Sequence, residues 1–378
     1  MSDTTSSSPE VPLTLDGHPD AHAGDTDEGA DPATTPSTVR SPLGGTHKAN
    51  VISLGQVWVD IMMNVAAIPP AGGFALSDGA IATVGGSFRV LLAARRMGSL
   101  ALHAGIIGTG TWGSGVRAAL ARHDISHIGQ DRLDADTGFR LVLNDGQRKT
   151  FIATFGAEAQ GGEDAFDMID PAPGDVVHIS GNTLMDHAAS GIEAFLRREE
   201  AIPGHRPYLL VLNPTRSLHL VSDHLLEDTV LARPIWSCNR QEAETLAERL
   251  GVVVDHGTAL TVGGGFEKAM EVLCEALGSA LRAPLVLRAG ASGAWVREPG
   301  GMLAHIPGFP TKPIHTRSAG GCHTGVMCAM LAQGWSLVDA VRIANAAASL
   351  AIEHSIGGVP DCPDRDAAVA LAEGSSGD

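Results

Sequence analysis

Aromatic residues are scarce in this chain: nine Phe, five Trp and one Tyr among 378 residues. Stacked rings cannot fill its core, so Ala, Val, Leu and Ile must do so. Basic residues are also short, with 26 Lys and Arg against 43 Asp and Glu, a formal net charge of −17. Neutralising a phosphate backbone needs clustered Lys and Arg, so a sequence-independent nucleic-acid binder is excluded. Long hydrophobic runs are missing too. None reaches the roughly 18 residues that a membrane span requires, so no membrane partner is expected. Nothing after Met1 resembles a basic n-region followed by an apolar h-region, and secretion by that route is not expected. The five cysteines, at positions 238, 274, 322, 328 and 362, are an odd number and form no CxxC pair. They read as free thiols in a reducing cytoplasm.

What is present is ordinary for a globular core: 44% hydrophobic and 18% charged residues. The length suits one large domain or two smaller ones. Charge is unevenly spread. Residues 1–46 carry eight acids and a single base, Arg40, among Ser, Thr, Pro and Gly. Such a stretch buries too little surface to offset its ordering entropy, so 1–47 is expected to be a disordered acidic tail. The same expectation holds for 361–378, with five acids and one Arg. The folded region, 48–360, is then only mildly acidic.

Short apolar runs alternate with helical patterns through that region. Val51–Val59, Leu100–Ile107, Asp175–Ser180, Leu209–Leu212 and Leu285–Leu287 read as strands. Ser87–Met97, Gly113–Arg122, His187–Arg198, Arg240–Leu250, Gly265–Leu281, Gly325–Gln333 and Leu337–His354 read as helices. This order predicts an α/β fold, doubly wound around a mostly parallel sheet. Two stretches break the alternation. Residues 60–83 hold short β-like pieces between Pro69, Pro70 and a Gly pair. Residues 137–154 read as a hairpin turning at Asp145-Gly146. Together they predict a small β lid.

Three motifs carry candidate chemistry. Gly108-Thr-Gly110-Thr-Trp-Gly113 matches GxGxxG between a strand and a helix, as dinucleotide binding requires. The acids near the expected distance, Asp131, Asp134 and Asp136, fall in a loop-like stretch, which favours a plain tight turn. The run from His315 to Gly325, holding Ser318, Ala319, Gly320 and Gly321, places small residues before an apolar helix. Their backbone N–H groups can cradle a phosphate or oxyanion, or simply begin the helix. Asn239 and Glu242 lie three apart at a helix start, on one face. They suit Mg²⁺ held largely through water, or a helix cap with a solvated Glu. The 16 His are scattered without zinc-like spacing.

Taken in order, these pieces resemble the ribokinase-like (PfkB) carbohydrate kinase family over about residues 50–360. The strand with Gly55 and Asp60 looks like the family's opening strand and its substrate-binding Asp. Val84-Gly85-Gly86-Ser-Phe-Arg89, running into a helix that ends at Gly98, looks like the N-terminal signature, and Gly105 to Gly113 continues it. Asn239 to Glu242 matches the N-x-x-E magnesium motif. Leu287 to Gly293 resembles the strand and glycine loop on the nucleotide side, which implies roles for Gly290, Ser292 and Gly293. Thr316 to Gly325 aligns with the C-terminal signature D-T-x-G-A-G-D, and Asn345 begins the matching helix segment behind it. The resemblance implies γ-phosphoryl transfer from ATP, with Mg²⁺, to a hydroxyl of a sugar, sugar phosphate or nucleoside. It also implies a β lid over the substrate, and a homodimer joined through that lid is one expected state.

The chain departs from the family's pattern twice. Counting back from Gly325, the base Asp falls on Gly321, and a glycine cannot accept a proton. General-base help in such a step is worth roughly 10²–10⁴ in rate. A one-residue shift would put Cys322 at the base position, as in some vitamin-precursor kinases, but it spoils the match at Gly325 and Leu337. Second, the Asn that usually meets the substrate falls on Arg89, and a cation there favours an anionic ligand. Two functions follow from the resemblance: a carbohydrate kinase with an altered base, or a pseudokinase that keeps the fold for binding or regulation.

Overall fold

The computed structural model describes residues 49–374, apart from 186, 216–217, 256–264, 315, 317–318 and 357–358. The N-terminal stretch 1–47, His315 and Ser318 lie outside the described residues. In chain order the strands are β1 (Asn50–Ser53), β2 (Val59–Val65), β3 (Ser77–Val84), β4 (Leu100–His103), β5 (Ile107–Gly108), β6 (Ile125–His127), β7 (Asp131–Arg132), β8 (Phe139–Asn144) and β9 (Lys149–Thr154). They continue with β10 (Val176–Ser180), β11 (Leu209–Asn213), β12 (Ile235–Asn239), β13 (Leu285–Arg288), β14 (Ala294–Arg297), β15 (Leu303–Ile306), β16 (Ser355–Ile356) and β17 (Val359–Pro360). The helices are α1 (Phe88–Arg96), α2 (Thr111–Arg122), α3 (Ala189–Leu196), α4 (Asp223–Leu231), α5 (Arg240–Arg249), α6 (Gly265–Leu281), α7 (Ala319–Ala332), α8 (Leu337–Glu353) and α9 (Arg365–Gly374).

Nine strands form the main sheet, ordered β15-β14-β13-β12-β11-β10-β1-β4-β6. Those from β13 to β6 are parallel, and β14 and β15 close one edge antiparallel. Successive side chains point to opposite faces of a strand, and both faces here are apolar. Val51, Val176, Val211, Ile235 and Val286 face one core, formed with α1, α2, α7, α8 and α9. Ile52, Val177, Leu212, Trp236 and Leu287 face the other, formed with residues of α3 to α6. Burying each such side chain is worth about 1.5–3 kcal/mol, so a polar residue on either face of these strands is costly. The chain winds one way from β1 to β4 and β6, and the other way from β10 to β13. The fold is therefore doubly wound, with its switch point between β1 and β10. In such sheets a crevice opens at the carboxyl ends of the strands beside that point.

A second sheet, ordered β3-β2-β8-β9, stands outside the main one. It is built from the two stretches that interrupt the alternation. The Asp145-Gly146 turn closes β8 to β9, with Asp145 Oδ1 accepting from the N–H groups of Gln147 at 2.9 Å and Arg148 at 2.6 Å. The parallel pairing of β2 with β8 puts Asp60 opposite Arg140.

The C-terminal tail corrects the expectation of disorder. Arg365–Gly374 is helical, and its Ala368 and Ala372 are buried in the core. Small alanines at helical spacing gave it an apolar stripe that the acidic composition masked. Asp361 pairs with Arg96 of α1 at 3.1 Å, which ties the segment to the body. All five cysteines are free and buried, and the sulfurs of Cys322 and Cys362 approach to 2.7 Å. Among the described residues no helix is long and apolar enough to cross a membrane.

Candidate active site at the switch point

A cavity of about 190 Å³ opens at the switch point. Four of the residues singled out from the sequence line it: Asp60, Gly86, Arg89 and Gly321. Strand β2 delivers Asp60 from the lid side, α1 delivers Arg89, and the first turn of α7 delivers Gly321.

Asp60 is held from two sides. Arg140 grips it with a fork, Nε to Oδ1 and Nη2 to Oδ2, each at 2.8 Å. Trp58 Nε1 donates to Oδ1 at 2.9 Å. The Arg140 guanidinium also lies over the Trp58 ring, 5.3 Å from its centroid, and over Phe151 at 5.6 Å. Such a bidentate pair fixes both orientation and charge. The turn below is close-packed. A Cβ at Gly85 would come within 2.7 Å of Asp60 Oδ2, and Gly86 takes φ +66°, a left-handed conformation that favours glycine.

Helices α1 and α7 cross closely because position 325 is a glycine. A Cβ there would strike the Val90 carbonyl and come within 2.7 Å of Ala93 Cβ. One turn nearer the two N-termini, the same crossing brings Gly321 against Arg89, whose Cβ lies 3.2 Å from where a Gly321 Cβ would be. Helix α7 begins at Ala319, six residues before the apolar periodicity suggests, so Ala319, Gly320 and Gly321 form its first turn. The Ala319 N–H donates to the Thr316 carbonyl at 3.4 Å, while the N–H groups of Gly320 and Gly321 have no i−4 carbonyl partner inside the helix and are the turn's candidate donors for an anion.

Polar residues from the ends of the parallel strands complete the cavity. His178, in the middle of the apolar β10, lines it with Ser180, Asn182 and Asn213. Its Nδ1 pairs with Ser53 Oγ at 2.9 Å and its Nε2 with Asn213 Oδ1 at 2.5 Å. Burial lowers its pKa to about 4, only partly offset by the bond to Asn213, so the imidazole is neutral at pH 7. Nε2–H then donates to Asn213, and Ser53 donates to Nδ1. The sequence singled out none of these residues, nor Arg140. The one signal was a histidine inside an otherwise apolar strand.

The expected metal pair stands differently. Asn239 and Glu242 form a capping box on α5, with Asn239 Oδ1 accepting from Glu242 N at 2.9 Å and Glu242 Oε2 accepting from Asn239 N at 2.8 Å. Glu242 is buried rather than solvated, and the same Oε2 accepts from Arg288 Nη2 at 3.2 Å. A guanidinium thus lies beside this carboxylate, and the side-chain oxygens that the sequence offered to Mg²⁺ through water also serve the capping box. Arg288 Nη2 also bonds the Ser237 carbonyl at 3.2 Å, and its Nη1 is pressed on the backbone of Gly320, where a Cβ would collide with it. A cation at the positive end of α7 is unfavourable by itself and becomes favourable when an anion lies between.

Residues expected on the nucleotide side converge on one strand end. Gly290 and Ser292 form the turn between β13 and β14, and Gly293 packs on the Ile306 and Pro307 backbone. Asn345 Nδ2 donates to the Ile306 carbonyl at 3.0 Å and the Pro307 carbonyl at 3.2 Å, while its Oδ1 accepts from His323 Nε2 at 3.1 Å. The Asn345 side chain therefore pins this loop to α7 and spends its amide on protein partners. Burial, with Arg288 nearby, lowers the His323 pKa to about 3. His323 points away from the cavity.

The GxGxxG stretch forms a tight turn whose helix end is already filled. Asp136 Oδ2 accepts from Trp112 N at 3.1 Å and Oδ1 from Gly113 N at 2.8 Å. A carboxylate of the chain occupies the place a pyrophosphate would take. Elsewhere, Glu193, His224 and Asp228 gather at the surface, but Arg197 already pairs with Glu193 at 2.7 Å and Asp228 at 3.0 Å.

Comparison with known proteins bears on this arrangement. A family model described as pfkB family carbohydrate kinase matches residues 48–363. The uncharacterized sugar kinase YegV of Escherichia coli K12 is 29% identical over 325 residues, covering 85% of this chain and 93% of the relative. Ribokinase from Cryptococcus neoformans, solved with ADP, has TM-score 0.69 and 20% identity over 86% of this chain and 99% of its own. A nucleoside kinase from Burkholderia thailandensis, solved with inosine, has TM-score 0.66 and 16% identity over 87% of this chain and 97% of its own.

Proposed function

Since this chain belongs to the pfkB family of carbohydrate kinases, we propose that it transfers the γ-phosphoryl group of ATP to a hydroxyl of a sugar, sugar phosphate or nucleoside bound between Asp60 and Gly321. The observation that carries this reading is the single cavity lined by both residues at the switch point. Asp60 accepts from substrate hydroxyls while Arg140 and Trp58 hold it in place. The first turn of α7 receives the transferring group on its N–H donors, beside Arg288. Loose phosphoryl-transfer transition states need positioning and charge stabilisation more than covalent help.

Mg²⁺ would offset the charge of the ATP phosphates, with Asn239 and Glu242 reaching it through water. Glu242 acts by orienting Arg288, so the phosphate end meets a fixed guanidinium. The nucleotide lies along the Gly290–Gly293 turn and the loop that Asn345 pins. The cytoplasm is the expected compartment, and a lid-mediated homodimer remains part of this reading.

A second reading, a pseudokinase that binds sugar or nucleotide, is favoured by one observation: Gly321 offers no base. Incubation with MgATP and a panel of sugars, sugar phosphates and nucleosides separates the two. Phosphorylated product supports the kinase. Saturable ligand binding with no product across the panel supports the pseudokinase.

A further inference from the structure

Asn213, at the carboxyl end of β11, lines the cavity and has no part in the transfer itself. We propose that Asn213 is a further ligand-binding residue and His178 its positioning residue. His178 holds Asn213 Oδ1, so that Nδ2 faces the cavity and donates to an acceptor oxygen of the bound reactants. That oxygen belongs to a phosphate of ATP or to the sugar or nucleoside. This rests on the kinase reading above and adds a fixed donor to its site.

The argument begins at a backbone group. Gly55 N–H donates to Ser53 Oγ at 3.2 Å. Ser53 is fully buried, and among the described residues the acceptor for its hydroxyl proton is His178 Nδ1 at 2.9 Å. A ring nitrogen that accepts carries no proton, so a neutral imidazole holds its proton on Nε2. Burial keeps this ring neutral at pH 7 by lowering its pKa to about 4. Nε2–H then donates to Asn213 Oδ1 at 2.5 Å. Each bond sets the direction of the next, from the backbone of Gly55 to the amide of Asn213. An amide free to rotate would show the cavity either end, and the bond from His178 fixes which end it shows.

Position comes next. Alternate side chains share a face of a strand, so Asn213 stands on the same side of the sheet as Val211, which packs in the core formed with α7. Asn213 and Gly321 of α7 line one cavity. Strand β11 runs between β10 and β12. Ser180 of β10, in register with Asn213, also lines the cavity, and β12 leads into the helix of Glu242. The amide thus stands between the Ser180 strand end and the side where Glu242 holds Arg288, the phosphate end in this reading. Asp60 presents an acceptor to the ligand and Asn213 a donor. A donor fixed in advance needs no reorganisation when the reactants bind.

The test compares the wild-type chain with Asn213→Ala, Asn213→Asp, His178→Gln and His178→Leu. Turnover is followed with MgATP and ribose, ribose 5-phosphate, glucose, gluconate or inosine. Binding of the same acceptors and of magnesium AMP-PNP is measured by calorimetry. Asn213→Ala should weaken one ligand about tenfold, the worth of a good hydrogen bond. Asn213→Asp keeps an oxygen for His178 and turns a second acceptor toward the ligand, so it should lose roughly tenfold more. A loss in AMP-PNP affinity assigns the acceptor oxygen to the phosphates, and a loss in KM for the sugar or nucleoside assigns it there. His178→Leu should match Asn213→Ala, whereas His178→Gln, which keeps a donor near the Nε2 position, should recover most of the affinity. A structural role alone would lower the melting temperature in both His178 variants without that split. ¹⁵N NMR of ring-labelled histidine at pH 7 should show one ring, missing from His178→Gln, with its proton on Nε2 and Nδ1 bare. This measurement decides the point if the Asn213 variants fail to fold.

A His178 ring protonated on Nδ1 would reverse the amide and overturn the inference. So would Asn213→Asp that binds every probe and turns over as the wild type does. Product from the wild type beside either result leaves the kinase reading standing. No product from any acceptor removes the kinase reading, and a selective loss of affinity in Asn213→Asp then still supports the fixed donor. No product and no binding of any probe overturns both.

Discussion

Gly321 packs against the base of the Arg89 side chain, with Arg89 Cβ 3.2 Å from where a Gly321 Cβ would stand. The base that the family pattern calls for and the cation that it does not are thus one locus. The close crossing of α1 and α7 at Gly325 sets this geometry, so the two departures in sequence belong to a single structural site.

Arg140→Lys should loosen substrate binding without touching the nucleotide. The fork on Asp60 cannot be reproduced by an ammonium, which is a point charge. Stability should fall by only about 1 kcal/mol, since the guanidinium is about a third exposed and water screens the pair. KM for the sugar should rise several-fold while KM for ATP holds. Equal effects on both would remove Asp60 from the substrate side.

Arg288 and Glu242 should be strongly coupled. Arg288→Met leaves a buried carboxylate without its guanidinium, a change that costs about 3–5 kcal/mol when both partners are desolvated. The side chains are 14% and 10% exposed, which fits that case. Adding Glu242→Gln should restore part of the loss, with a coupling of about 1–3 kcal/mol in a double-mutant cycle. Additive losses in urea unfolding would show that the pair carries no energy.

Much of the fold was legible in the sequence. The Gly265–Leu281 periodicity gave a helix with those same bounds, and the alternation of runs gave the doubly wound sheet. The site was half legible, because its pairs are distant in sequence. Asp60 meets Arg140 through a parallel pairing of β2 with β8, and Glu242 meets Arg288 through the pairing of β12 with β13. Neither follows from local spacing. Asn239 and Glu242 show the converse. Their spacing fits a metal motif and a capping box equally, and the capping box is the one that the side-chain contacts show directly.

Acid should unfold the protein through its buried histidines. Burial lowers His103 to about 3, with His127 adding to the effect, and burial likewise lowers His178 to about 4 and His323 to about 3. An unfolded histidine titrates near 6.5. Between about pH 6.5 and 4 the unfolded chain binds protons that the native chain does not. Stability therefore falls as pH falls, by about 1.4 kcal/mol per pH unit for each such group. His103 is the cleanest case, because both its ring nitrogens are buried without a hydrogen-bond partner among the described residues. His103→Phe should lose about 2 kcal/mol less than the wild type between pH 6.5 and 5. An identical loss in both proteins, read from urea midpoints, would contradict the assignment.

The most direct measurement is product analysis by mass spectrometry after incubating the wild-type protein with MgATP and ribose, ribose 5-phosphate, glucose, gluconate or inosine. A carbohydrate kinase acting through the Asp60–Gly321 cavity should yield ADP and a singly phosphorylated product in equal amounts. ATP and sugar that each raise the melting temperature, with no phosphorylated product from any acceptor, would contradict it and leave a binding protein on a kinase fold.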